Sequence, residues 1–352
     1  MQTVGMTEVT VKTRAVDGRI RLRIGKTGGV AERSDLQQLR LMTKVAWLYH
    51  NGHLRQREIS DRLSMSQSRV SRLLDMAVSA GVVRTTVVAP VGLHAEVEEA
   101  LEKRYGLLEA HVFDVGTGVE QGEHDLVAAL GQSVAHWLQA HPFNAEIIGF
   151  TSWSRSLRAT VAALPRLRSN VRYVVELLGD VGRMTLQHEA AQATRDLARL
   201  TGAEPRFLRT PGVVRKPELR EALMTYDPDA RQALELLDHM QLALVGIGTC
   251  EVDPPLAAGE NLLTHQQFHR AQELGAVGQI NLRFLAADGS PVASELDELV
   301  VGVTLQQLRR ADRVLAVAGG SKKYAAIRAA LLGGWVNALV TDLATAERLA
   351  KE

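Results

Sequence analysis

"QREISDRLSMSQSRVSRLL", Gln56 to Leu74, holds two short amphipathic segments around a small polar break. In the first, Ile59 and Leu63 fall one helical turn apart. In the second, Val70, Leu73, Leu74 and Ala77 recur at helical spacing, and Gly81 ends the run. "SMS" between them is a tight turn, with Ser66 placed to cap the second helix. Upstream, "DLQQLRLMTKVAWLYHNG" (Asp35–Gly52) puts Leu36, Leu39, Met42, Val45, Ala46 and Tyr49 on one face of a longer helix. Ser34 is its expected N-cap and Asn51-Gly52 its stop. Downstream, the β-branched run "VVRTTVV" suits a strand, so a small wing is expected.

A support helix followed by two short helices and a wing makes a winged helix-turn-helix. In that motif the second helix lies in the major groove and its first turns meet base edges. Those turns carry Gln67, Ser68, Arg69, Ser71 and Arg72. Glutamine pairs with adenine in two places, arginine with guanine, and serine serves phosphate or base. Gln56, Ser66 and Arg84 complete the expected DNA-binding set. The competing reading is a generic three-helix bundle with a wet polar face. Helix lengths, capping serines and the wing favour DNA, and so does charge. Trp47 and Tyr49 read as core or interface packing rather than base-stacking groups.

The net charge of +1 hides an asymmetry. Residues 1–90 hold 15 Lys+Arg and 7 Asp+Glu, about +8, and the remainder is about −7 by the same counting. Seven of those positive charges precede Ser34, so a solvated basic tail explains part of the excess. A basic end on an acidic body nonetheless suits a polyanionic partner. The 352 residues allow two or three domains. One cysteine, Cys250, excludes a disulfide framework within the chain and fits a reducing compartment. No apolar run is long enough to span a membrane, and the N-terminus has no secretory h-region, so a cytoplasmic address is expected.

The segment "LRLMTKVAWLYHNGHLRQREISDRLSMSQSRVSRLLDMAVSAGVVR" resembles the DNA-binding domain of SorC-type (DeoR/SorC) sugar-binding bacterial transcriptional regulators. "LALVGIG" (Leu242–Gly248), "GAVGQI" (Gly275–Ile280), "VAGGSKKYAAIRAALLGGWVNALVTD" (Val317–Asp342) and "TAERLA" (Thr345–Ala350) resemble further family motifs in the same order. The resemblance covers residues 34–352. Residues 1–33 fall outside it and read as a basic arm, either disordered or added by an extended gene start. The expected division is then a winged helix-turn-helix over 34–90, a linker helix over 91–110, and an effector-binding and oligomerisation domain over 111–352.

The long second part reads as α/β on its own residues. Apolar runs at Ala145–Phe150, Val171–Gly179, Leu242–Gly248, Arg313–Gly320 and Asn337–Asp342 alternate with helical patterns, which means a Rossmann-like parallel sheet covered on both faces. The resemblance adds an isomerase-like or CoA-transferase-like sugar-phosphate fold. Ligands bind beyond the C-terminal ends of such strands. There, "TSWSRS" crowds Thr151, Ser152, Ser154 and Ser156 with Arg155 at a strand-to-helix turn, which suits an anion. Any single hydroxyl there serves equally well as a simple N-cap. Gly179, Gly246, Gly248 and Gly320 let backbone approach a ligand or only serve tight turns. Glu251 stands near, and Lys323 opens a helix where the dipole disfavours a cation. The resemblance implies that Lys323 contacts the sugar or phosphate of the effector, with Lys322 second. Family members often have aspartate where this chain has Gln279, and glycine where it has Phe150 and Ser154. The first change bears on sugar choice or is structural.

No catalytic set stands out. His265 and His269 share a helix face without the glutamate of a zinc motif, and no P-loop or dinucleotide fingerprint occurs. No cofactor or metal is expected. The reading is an allosteric regulator of a carbohydrate or polyol catabolic operon, controlled by a phosphorylated sugar. Palindromic DNA asks for at least a dimer, and the resemblance implies a tetramer. The alternative is a sugar-phosphate isomerase or hydrolase with an appended DNA-binding domain.

Overall fold

The computed structural model describes residues 13–16, 19–22, 31–83, 93–114, 123–140, 144–252, 256 and 261–351. The chain divides into two compact units, residues 1–88 and 89–352.

In the first unit β1 (Thr13–Val16) and β2 (Arg19–Leu22) pair antiparallel, so the arm carries a hairpin absent from the sequence reading. Three helices follow: α1 (Ala31–His50), α2 (Gln56–Leu63) and α3 (Gln67–Ser79). Their core is Met42, Val45, Ala46, Leu48, Ile59, Val70, Leu73, Leu74 and Ala77. Ser34 lies inside α1 rather than at its cap. Leu36 and Tyr49 are exposed instead of inward, and Leu48 takes the core position. The cover over α1 comes chiefly from α3, and Gln38 Nε2, near the start of α1, donates to Met76 Sδ at 3.9 Å. Leu36 lies past that cover, and Tyr49 turns off the buried arc to stack edge-on with His50. Trp47 is 60% exposed and outside the core. Ser64 closes α2 in the left-handed region, φ 51°, and the Ser60 hydroxyl donates to Met65 O at 2.5 Å, which fixes the tight turn. The expected wing from residue 84 onward lies outside the described residues.

The second unit opens with α4 (Ala95–Tyr105), expected as a linker that packs on the body or on a partner. It packs on the body. Leu101 is fully buried, Glu102 and Glu98 accept the N–H groups of Ala110 and Val112, and Tyr105 donates to Leu349 O. Seven parallel strands follow: β3 (Glu109–Phe113), β4 (Ile147–Phe150), β5 (Tyr173–Glu176), β6 (Glu204–Arg206), β7 (Leu242–Gly246), β11 (Arg313–Val317) and β12 (Ala338–Asp342). Their spatial order is β3-β12-β11-β7-β4-β5-β6. From β4 the chain winds outward through β5 and β6, returns to β7 on β4's other side, and winds the opposite way to β12.

Strand residues alternate between two cores, as a sheet buried on both faces requires. Ile148, Phe150, Val174, Leu244 and Val317 meet α5 (Glu123–Ala140), α6 (Arg155–Ala163) and α7 (Met184–Thr201). Val175, Val245, Ala316 and Leu339 face α4, α9 (Pro228–Leu236), α12 (Tyr324–Leu332) and α13 (Leu343–Lys351). Between β6 and α9 lies α8 (Pro217–Tyr226), which buries no residue. Between β7 and β11 the chain adds a small antiparallel sheet, β8 (Gly248–Thr249), β9 (Ala276–Ile280) and β10 (Arg283–Ala286), with α10 (His265–Glu273) inside that insertion and α11 (Leu305–Arg310) after it.

Candidate functional site

On the first unit the site is the start of α3. Gln67, Ser68, Arg69 and Arg72 are exposed, and Val70, Leu73 and Leu74 point inward. The apolar stripe therefore fixes which face α3 presents. Ser66 has the backbone of an N-cap, φ −70° and ψ 147°, but its hydroxyl meets Ser68 Oγ at 3.1 Å instead of capping. Arg72 Nε donates back to Ser68 O at 3.3 Å, which lays its guanidinium along the helix. Ser71 and Gln56 are half-buried at the edges of this face. Glu58 accepts Arg55 N at 2.7 Å and so is occupied closing the start of α2. Arg84 lies outside the described residues.

On the second unit the site follows from topology. Chain winding reverses between β4 and β7, and in open α/β sheets the loops at such a reversal diverge to form the ligand crevice. Thr151–Ser154 leaves β4, with Ser154 capping α6 by accepting Leu157 N at 3.5 Å. Gly246 ends β7 directly against Ser154 Oγ. Two residues on, Gly248 lies opposite Gln279 in the β8–β9 pair, where a β-carbon would collide with the Gln279 amide nitrogen. The turn Ser321–Lys323, before α12, packs beside β8.

The β9–β10 hairpin closes over this edge. Its two turn residues, Asn281 and Leu282, both have positive φ, 49° and 63°, the backbone of a tight two-residue hairpin. A leucine in that region is strained. Gln279 holds the turn, because its Oε1 accepts Leu282 N at 2.8 Å. Asn281 Oδ1 accepts the Thr151 hydroxyl at 3.0 Å, which latches the hairpin to the end of β4.

Several expected effector residues sit elsewhere. Ser156 is buried on the inner face of α6. Gly179 is covered: its N–H donates to Val301 O, and a β-carbon would strike Thr210 O at 2.5 Å. That glycine serves the close passage of two backbones. Thr151 and Ser152 are buried as well, and Thr151 spends its hydroxyl on Asn281. Phe150 fills the core beneath them. Arg155 is exposed at the start of α6, Lys323 is half-buried at the start of α12, and Glu251 is exposed beyond β8. Gly320, at φ 90°, has its N–H held by Asp342 Oδ2 at 2.7 Å.

The catalytic alternatives lose ground on geometry. Burial, with Glu251 nearby, pushes the Cys250 thiol up to about 11, so it stays protonated. His269 pairs with Glu273 on an exposed helix face. Among the described residues no group of three or more His, Cys, Asp or Glu is placed to hold a metal ion. No described helix is long and apolar enough to cross a membrane.

Residues 89–351 match the family described as "Putative sugar-binding domain", and residues 48–84 match "Winged helix-turn-helix DNA-binding". The chain belongs to the SorC-type sugar-binding transcriptional regulators. It is 29% identical to the sorbitol operon regulator of Klebsiella pneumoniae over 326 residues, 91% of this chain and all of that one. It is 28% identical to the deoxyribonucleoside regulator of Bacillus subtilis over 324 residues, 90% of this chain and 99% of that one. The crystal structure of full-length SorC from Klebsiella pneumoniae superposes with a TM-score of 0.63 at 27% identity, covering 89% of this chain and 99% of that one. These relatives are named as regulators, not enzymes, so this SorC-type chain is a DNA-binding regulator with a sugar-binding body.

Two residues that shape the candidate site, and one buried carboxylate apart from it, are not singled out by the sequence. Asn281 latches the hairpin, Asp342 holds the Gly319-Gly320 turn, and Glu176 is a buried carboxylate at the end of β5. Glu176 accepts the Thr194 hydroxyl and Leu208 N, each at 3.0 Å, and burial pushes its carboxyl above 4.5. Asn281, a turn-favouring residue at the break between two apolar runs, was the available signal for the hairpin.

Proposed function

We propose that this chain regulates a carbohydrate or polyol catabolic operon and that a phosphorylated sugar or polyol controls it. The effector seats over the C-terminal ends of β4 and β7. Its phosphate lies between the starts of α6 and α12, near Arg155 and Lys323, where helix dipoles and cations attract an anion. The winding reversal at β4 and β7, with Gly246 and Gly248 letting the backbone pass close beneath Ser154 and Gln279, carries this reading. The names of relatives tied to sorbitol and deoxyribonucleosides support the ligand class.

Gln67, Ser68, Arg69 and Arg72 read operator DNA from α3, and the protein acts in the cytoplasm as a dimer or tetramer whose symmetry matches paired half-sites. Effector control requires different affinities of the sugar for the DNA-competent and DNA-incompetent arrangements. The test is Lys323→Ala. Operator binding is expected to survive while the response to sugar phosphates disappears in gel-shift titrations. An unchanged response removes Lys323 from the site.

A further inference from the structure

We infer that the effector offers a carboxylate or other acceptor-only oxygen group, as in a sugar acid, to the two carboxamides Gln279 and Asn281. This rests on the crevice reading above. Each amide oxygen already accepts one hydrogen bond inside the fold. Gln279 Oε1 must be oxygen, because it accepts a backbone N–H from Leu282 at 2.8 Å. Asn281 Oδ1 accepts the Thr151 hydroxyl at 3.0 Å. Each amide therefore turns its NH2 the other way. Among the described residues Gln279 Nε2 makes no hydrogen bond and stands over Gly248, at the start of β8. Asn281 is 1% exposed, and its Nδ2 is buried without a partner. Trp153 Nε1, in the β4 loop, is a second buried donor without one.

The side-chain groups without a hydrogen bond here are thus N–H donors, whereas the side-chain oxygens of Gln279, Asn281 and Ser154 each already accept one bond from the protein. A sugar hydroxyl placed there accepts well but must share an oxygen that already serves a protein donor, or reach out to Glu251, for its own hydrogen. A carboxylate has only acceptors and leaves nothing unsatisfied. The amides are neutral, so they suit a carboxylate, whereas a phosphate is better served by the helix starts and cations. An aspartate or glutamate at 279 offers the reverse chemistry, an acceptor for hydroxyl hydrogens.

The experiment compares matched aldonates, aldoses and alditols of four to six carbons, each with and without a terminal phosphate, by thermal shift and titration on the full-length protein. Gln279→Glu keeps the reach and one oxygen for Leu282 N but turns the open donor into an acceptor. The wild type is expected to bind the best acid at least tenfold more tightly than its matched alditol. Gln279→Glu is expected to cut that preference at least tenfold or invert it. An alditol phosphate that matches its acid in the wild type overturns the inference, leaves the sugar-phosphate reading standing, and decides the question even if the variant does not fold. An unchanged preference in folded Gln279→Glu does the same. No shift from any compound, with operator binding intact, overturns both.

Discussion

Asp342→Asn removes the acceptor that shapes the Lys323 turn. The carboxylate is buried at the end of β12, and its Oδ2 accepts Gly320 N and Thr345 Oγ1, both at 2.7 Å. Its Oδ1 accepts Thr345 N at 2.9 Å and so caps α13. An asparagine keeps the capping bond through its one oxygen, so capping itself changes little. The new NH2 then faces the Gly320 N–H, donor against donor. A buried donor stripped of its acceptor costs ~1–3 kcal/mol. Loss of a negative charge at the first turn of α13 adds ~0.3–1 kcal/mol. Thr345 Oγ1, 3.2 Å from Gly320 N, takes up part of the loss. The expected destabilisation is ~1–3 kcal/mol for the second unit. Urea unfolding followed by tryptophan fluorescence measures it, since Trp137 and Trp335 are buried in that unit. The same variant is expected to weaken sugar response while operator binding by the first unit persists. Stability within ~0.5 kcal/mol of wild type, together with an unchanged sugar response, refutes the assignment of Asp342 as the residue that positions this turn.

Arg69→Ala is expected to weaken specific operator binding by ~1–3 kcal/mol and leave random DNA nearly unaffected; equal losses on both make it a phosphate contact. Glu176 gives a pH dependence whose sign is set by burial. Its folded carboxyl titrates above 4.5, so the native chain holds that proton to higher pH than the unfolded chain, and stability falls as pH rises from 4.5 through the folded value. Glu176→Gln still accepts Leu208 N and donates to Thr194, so it is expected to equal or exceed wild-type stability at neutral pH, with the gain vanishing in acid; a loss at neutral pH contradicts this. Cys250, at about 11 against an ordinary 9.0, is expected to react with iodoacetamide at pH 8 roughly 100-fold more slowly than an unfolded control, from ionisation alone. Equal rates contradict its burial.

Local spacing was enough for the helix-turn-helix, because Ile59, Leu63, Val70, Leu73 and Leu74 bury one stripe and leave Gln67 and Arg69 exposed by exclusion. Alternation of apolar runs with helical patterns was likewise enough for a parallel sheet with two covered faces. Strand order was not legible. Whether β7 joins β4 or an outer strand depends on contacts between residues some hundred positions apart, and no local pattern records them. The crevice follows from that order, so its membership changed with it. Ser156 and Gly179 carry suitable chemistry but face a core and a neighbouring backbone. Asn281 and Asp342 carry ordinary chemistry and gain their roles from partners 130 and 22 residues away in the chain. Sequence alone thus determined the classes of element and which face of α3 stays exposed, because side-chain periodicity is a local property. Tertiary structure alone decided which polar atoms stay unpaired around β8 and the β9–β10 turn, because the hydrogen bonds made inside the fold orient each amide oxygen toward a protein donor and leave its N–H groups without an acceptor.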